Sequence, residues 1–83
     1  MAEVTYYGAQ WCGDCRRSKA LMDNLGVVYE EKNVEEVAEY ATEAESISGR
    51  KNIPVIVFAD GEFLVEPNNT DLEAALAKRQ LIG

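Results

Sequence analysis

The stretch that decides the reading is Glu3-Val4-Thr5-Tyr6-Tyr7-Gly8-Ala9-Gln10-Trp11-Cys12-Gly13-Asp14-Cys15. Glu3 to Tyr7 is rich in strand formers, and Gly8-Ala9-Gln10 breaks the run just ahead of the cysteines. Beyond, from Gly13 to Leu25, the residues Cys15, Ser18, Leu21, Met22 and Leu25 recur at three- and four-residue spacing. That spacing predicts one face of a helix, with Gly26 placed to end it. Cys12 then falls at the helix mouth, where backbone N–H groups lack intrahelical acceptors, and Cys15 lies one turn deeper on the inward stripe.

A C-x-x-C in that position suits thiol–disulfide exchange. Only a thiolate attacks a disulfide, and a helix N-terminus stabilises negative charge on sulfur. Cys12 is therefore the candidate nucleophile, and Cys15 the thiol that closes on it and releases the product. Gly13 leaves room for an approaching substrate, and Arg16 and Arg17 add positive charge. Asp14 opposes them, because a carboxylate between two thiols disfavours a neighbouring thiolate even as it complements the helix dipole. As a structural staple the pair would be poor, since a bridge across so short a loop hardly constrains the unfolded chain. A zinc site needs about four ligands, and the chain has two Cys and no His. The lack of His also removes Ser-His-Asp and Cys-His nucleophilic schemes, and no glycine-rich phosphate loop is present.

Further along, Val27 to Lys32 reads as a second strand. Asn33 with Glu36 has the spacing of a capping box, opening a helix that turns Val37, Tyr40, Ala41, Ala44 and Ile47 inward and closes at Gly49. Ile53-Pro54 leads into Val55 to Phe58, a run apolar enough to be a central strand. Asp60-Gly61 is a two-residue hairpin signal that pairs Val55 to Ala59 with Glu62 to Glu66, and Pro67 ends the second arm. Thr70 and Glu73 repeat the capping-box spacing, with Leu72, Ala75 and Leu76 facing inward along a last helix to about Arg79. The predicted order is β-α-β-α-β-β-α, an α/β arrangement with a mixed four-stranded sheet and three helices.

Eighty-three residues make a single domain, 1–83, and the longest apolar run, Ile53 to Ala59, falls far short of a membrane span. The start Met-Ala-Glu-Val-Thr turns at once into a strand without the features of a secretion signal, so a cytoplasmic location is expected. A net charge of −7 disfavours nucleic acid and anionic membranes, whose recognition needs clustered Lys and Arg. Basic residues nevertheless gather at Arg16, Arg17, Lys19, Arg50 and Lys51, while the acids concentrate between Glu30 and Glu45.

The element order, the C-x-x-C at the first strand-to-helix junction and the proline opening the third strand resemble the thioredoxin fold in its compact glutaredoxin form, over the whole chain. The resemblance implies a cis proline at Ile53-Pro54 facing the cysteines, with Ile53 offering its backbone to an extended substrate. Trp11 stands where a rim aromatic could touch substrate or simply pack. Where glutaredoxins commonly carry C-P-Y-C, this chain has Cys12-Gly13-Asp14-Cys15. Ala9 replaces a basic residue, Asn52-Ile53-Pro54 replaces T-V-P, and Pro67-Asn68-Asn69-Thr70-Asp71 stands where a glycine pair would be. Lys51 matches a basic position of the family, and Asp71 its second acid.

Trp11-Cys12-Gly13, with Phe58-Ala59-Asp60-Gly61, Leu64 and Pro67, looks most like the mycoredoxin branch. That likeness implies reduction of protein disulfides, or of mixed disulfides with a low-molecular-weight thiol such as mycothiol or glutathione. The thiol is a co-substrate, and no resident cofactor or metal is expected. Electrons would come from a thiol or flavoprotein reductase system, and the protein is expected to act as a monomer. The alternatives are an NrdH-type redoxin recharged by thioredoxin reductase, a glutaredoxin-like dimer holding a [2Fe–2S] cluster through Cys12, or an interaction module using the acidic stretch Glu35 to Glu45.

Overall fold

A computed structural model describes residues 3–82. The chain runs β1 (Val4–Gly8), α1 (Gly13–Asn24), β2 (Glu30–Asn33), α2 (Ala38–Ser48), β3 (Val55–Phe58), β4 (Phe63–Val65) and α3 (Asn69–Lys78). The sheet order is β2-β1-β3-β4. β1 pairs parallel with β2, and antiparallel with β3, which pairs antiparallel with β4. Both the mixed sheet and the central place of Val55 to Phe58 are as expected.

Alternation along the inner strands divides the core in two. Val4 and Tyr6 of β1, with Ile56 and Phe58 of β3, face Cys15 and Met22 of α1 and Leu72 and Leu76 of α3. The odd-numbered Tyr7 and Val55 face Ala44 of α2, with Tyr40, Ile47, Val57 and Val65 packed around them. Two helices therefore cover one side of the sheet and one covers the other.

Gly26 ends α1 as expected. It sits at φ +73°, its N–H donates to the Asp23 carbonyl, and the Val27 N–H reaches back to the Met22 carbonyl at 3.0 Å. This paired pattern needs a left-handed residue just past the cap, which glycine supplies at little cost.

Four expectations are corrected. β2 begins at Glu30 rather than Val27: Val27 packs in the core, Val28 is 78% exposed, and the chain crosses from helix end to sheet over these residues. Asn33 does not cap α2. Its side-chain oxygen accepts the Glu35 and Glu36 N–H groups in a turn, and α2 starts only at Ala38, leaving Val37 and Ala41 exposed instead of inward. The hairpin loop has three residues, not two. Phe58 and Glu62 still pair, Gly61 takes φ +90°, and the Glu62 N–H is held by the Asp60 carboxylate. The cap of α3 is Asn68, two residues before Thr70, and it accepts the Asp71 N–H at 2.7 Å.

Candidate active site

Cys12 is the N-cap of α1. Its extended backbone, φ −84° and ψ 119°, lets its own sulfur accept the Cys15 N–H at 3.2 Å, the place a serine or aspartate oxygen would take in an ordinary cap. An orphan donor of the helix thus points at the sulfur that has to carry negative charge. Across from it, the Ile53 carbonyl lies 3.8 Å from Cys12 Sγ, and the Ile53-Pro54 peptide bond is cis. Both thiols are free, but Cys12 is partly exposed and Cys15 is fully buried. Burial, and then the Cys12 sulfur beside it, push the Cys15 thiol up to about 12, so it holds its proton while Cys12 faces solvent. The Ala9 N–H and the Tyr6 hydroxyl pull the other way.

A pocket of about 400 Å³ opens next to this pair, lined by Trp11, Ala41, Arg50, Lys51 and Ile53 among others. Trp11, 64% exposed, stands on its rim as an aromatic plate free to take a partner. Gly13 opens α1 with nothing within 4 Å of where a Cβ would sit, which leaves the approach to Cys12 clear.

Cys12, Cys15, Ile53 and Pro54 come together at one point, and Trp11 and Lys51 join Ile53 around the pocket. Asp14 and Asp71 are placed differently. The Asp14 carboxylate pairs with Arg17 at 3.3 Å. Arg17 also donates to Asn69 Oδ1 at 2.7 Å and to the Pro67 carbonyl at 3.0 Å, so it clasps α1 to the start of α3 rather than standing beside Cys12 as expected. Asp71 sits in the first turn of α3, on that side, and does not line the pocket.

Little in the residue pattern sets Tyr6 apart from the other tyrosines, yet its hydroxyl donates to the Cys15 carbonyl at 3.0 Å deep in the core. The only signal was Gly8 two residues on, where a Cβ would come within 2.3 Å of the Tyr6 oxygen.

A family model described as Glutaredoxin matches residues 4–64. The chain belongs to the glutaredoxin family. A protein of Mycobacterium tuberculosis that carries the provisional name glutaredoxin is 32% identical over 78 residues, 93% of each chain. Among solved structures, the glutaredoxin from Archaeoglobus fulgidus matches at TM-score 0.80 and 28% identity, covering 89% of this chain and 85% of its own. The NrdH-redoxin from Escherichia coli, described as a glutaredoxin-like protein with a thioredoxin-like activity profile, matches at TM-score 0.71 and 28% identity, over 86% and 91%. Membership makes this glutaredoxin a thiol–disulfide oxidoreductase of the thioredoxin fold, and no helix among its described residues is long and apolar enough to cross a membrane.

Proposed function

We propose that this glutaredoxin is a two-cysteine reductase of protein disulfides and of mixed disulfides with a low-molecular-weight thiol of the mycothiol type. The observation that carries the dithiol scheme is the unequal pair: one sulfur at a helix mouth under a backbone N–H, the other sealed below it. The Cys12 thiolate attacks one sulfur of the substrate and expels the other half as a thiolate, which takes up a proton. Cys15 then gives up its proton and attacks Cys12 Sγ, expelling the second half and closing the Cys12–Cys15 disulfide. Two electrons from a thiol or flavoprotein reductase system reopen it. Trp11 and Ile53 contact the substrate on the pocket side, Gly13 admits it, and Lys51 with Arg50 offers positive charge to acidic groups flanking its disulfide.

The mycothiol assignment is supported by the mycobacterial relative and by Trp11-Cys12-Gly13. A second reading, recharging by thioredoxin reductase, is favoured by the likeness to NrdH-redoxin. Coupled assays separate them. Oxidised protein should turn over with mycothiol and its reductase, at a rate abolished by Cys12→Ser. Turnover with thioredoxin reductase alone would overturn the first reading in favour of the second, and inactivity in both assays would overturn both.

A further inference from the structure

The closing step has a chemical difficulty: Cys15 must become a thiolate in a place that buries it completely. Burial that keeps the thiol inert before the first attack also slows the second one. Something within the core has to stabilise the charge briefly.

Two buried hydroxyls lie on this side among the described residues: Ser18 on α1, which makes no hydrogen bond, and Tyr6, the one that reaches Cys15. Tyr6 is 2% exposed, its ring meets Tyr29 edge-on at 5.9 Å, and its hydroxyl donates to the Cys15 carbonyl at 3.0 Å. Gly8 is what permits this, since only a missing side chain leaves room for the phenol to reach the first turn of α1. In a regular helix the Cys15 carbonyl also accepts the Lys19 N–H, so a hydroxyl hydrogen withdrawn from it leaves no orphan acceptor.

We propose that Tyr6 is a positioning residue for resolution: its hydroxyl rests on the Cys15 carbonyl in the dithiol and turns its hydrogen to the Cys15 sulfur as that thiol loses its proton. The inference rests on the two-cysteine scheme. No net proton passes through Tyr6. The Cys15 proton leaves to the expelled thiolate or to water, electrons move from Cys15 sulfur to the mixed disulfide, and the phenol stays neutral. Burial first, then the charges of Cys15, Glu31 and Cys12, raise its titration well above the ordinary phenol range, which keeps it a donor. Arg16, Lys19 and Glu31 face it across a cavity of about 320 Å³ that gives water a route to this side of the sheet.

The test uses the intact reduced protein and dithiobis(nitrobenzoate), whose thionitrobenzoate is released once on Cys12 attack and again on Cys15 closure. With Tyr6→Phe the first release should keep its rate. The second should slow about tenfold, as expected for loss of one charge-assisted hydrogen bond, and the pH midpoint of the second release should move upward. Tyr29→Phe, which removes a hydroxyl bonded to Asp23 from the same cluster, should leave both releases as in wild type. A second release unchanged in rate and pH midpoint in Tyr6→Phe would overturn the proposal while leaving the dithiol scheme standing. Equal slowing in both tyrosine variants would also overturn it, by showing a packing effect. A wild-type protein releasing only one thionitrobenzoate would overturn proposal and scheme together.

Discussion

Gly8→Ala places a methyl group where the structure has no space for one. The new Cβ would stand 2.3 Å from the Tyr6 oxygen, 2.5 Å from Cζ and 3.0 Å from Cε1, against 3.4 Å or more for ordinary contact. The ring cannot retreat without leaving the Cys15 carbonyl and pressing on Tyr29. Losing that hydrogen bond costs roughly 1 kcal/mol and overpacking roughly 1–3 kcal/mol, while exchanging Gly for Ala in a strand returns roughly 0.5–1 kcal/mol. The net loss is about 1–3 kcal/mol, out of a total of about 4–12 kcal/mol for a chain of this size. Urea denaturation reads it as a lower midpoint at unchanged slope. The decisive arm is the double variant with Tyr6→Leu, which lacks all three clashing atoms. In that background Gly8→Ala should be neutral or slightly stabilising, so the two changes couple strongly. If Gly8→Ala destabilises equally in both backgrounds, the close approach to Tyr6 is not what requires glycine.

Three further outcomes follow from the site and its supports. Iodoacetamide should modify Cys12 rapidly and leave Cys15 untouched until the protein unfolds, as mass spectrometry of timed digests would show; equal labelling would contradict the buried position. Arg17→Ala removes the contacts to Asp14, Asn69 and Pro67 together, and should slow Cys12 alkylation at neutral pH several-fold by leaving the carboxylate unpaired. Adding Asp14→Asn to it should restore the rate, and a double variant as slow as the single would sink the charge explanation. Glu43 is held below its ordinary 4.5 by hydrogen bonds from Lys32 and the Tyr7 hydroxyl. Its depressed value means the contribution is present above about pH 4.5 and lost as pH falls through the folded value. Glu43→Gln should therefore flatten the acid limb of stability, measured by denaturation between pH 3 and 6.

The legible parts of the fold were those in which periodicity and backbone chemistry agreed. The α1 face, the Gly26 stop and the central β3 follow from side-chain spacing and a left-handed glycine, which the sequence states directly. The misplaced start of α2 has a local cause. A side-chain oxygen accepting N–H groups two and three residues on is the same local bond whether it opens a helix or closes a turn, so Asn33 read as a cap. The pairing of Asn33 with Gly8 across the sheet, with the Val34 N–H donating to the Gly8 carbonyl, holds that residue at the strand end. The site divides the same way. Cys12, Cys15 and Ile53-Pro54 were legible because their chemistry is tied to a motif. The Arg17 clasp was not, because its partners lie some fifty residues away in sequence.

Of the three helices, α1 buries Cys15, Ser18 and Met22 completely and α3 buries Leu72 and Leu76, but α2 commits only Ala44, and its N-cap has no side-chain hydrogen bond. That least-anchored helix carries Ala41 and Ala44, part of the wall of the pocket beside Trp11. Amide exchange should accordingly run fastest in α2. On the proposed docking of substrate at that pocket, the reacting sulfurs sit on the firmly packed side of the sheet while the substrate meets its least-anchored wall.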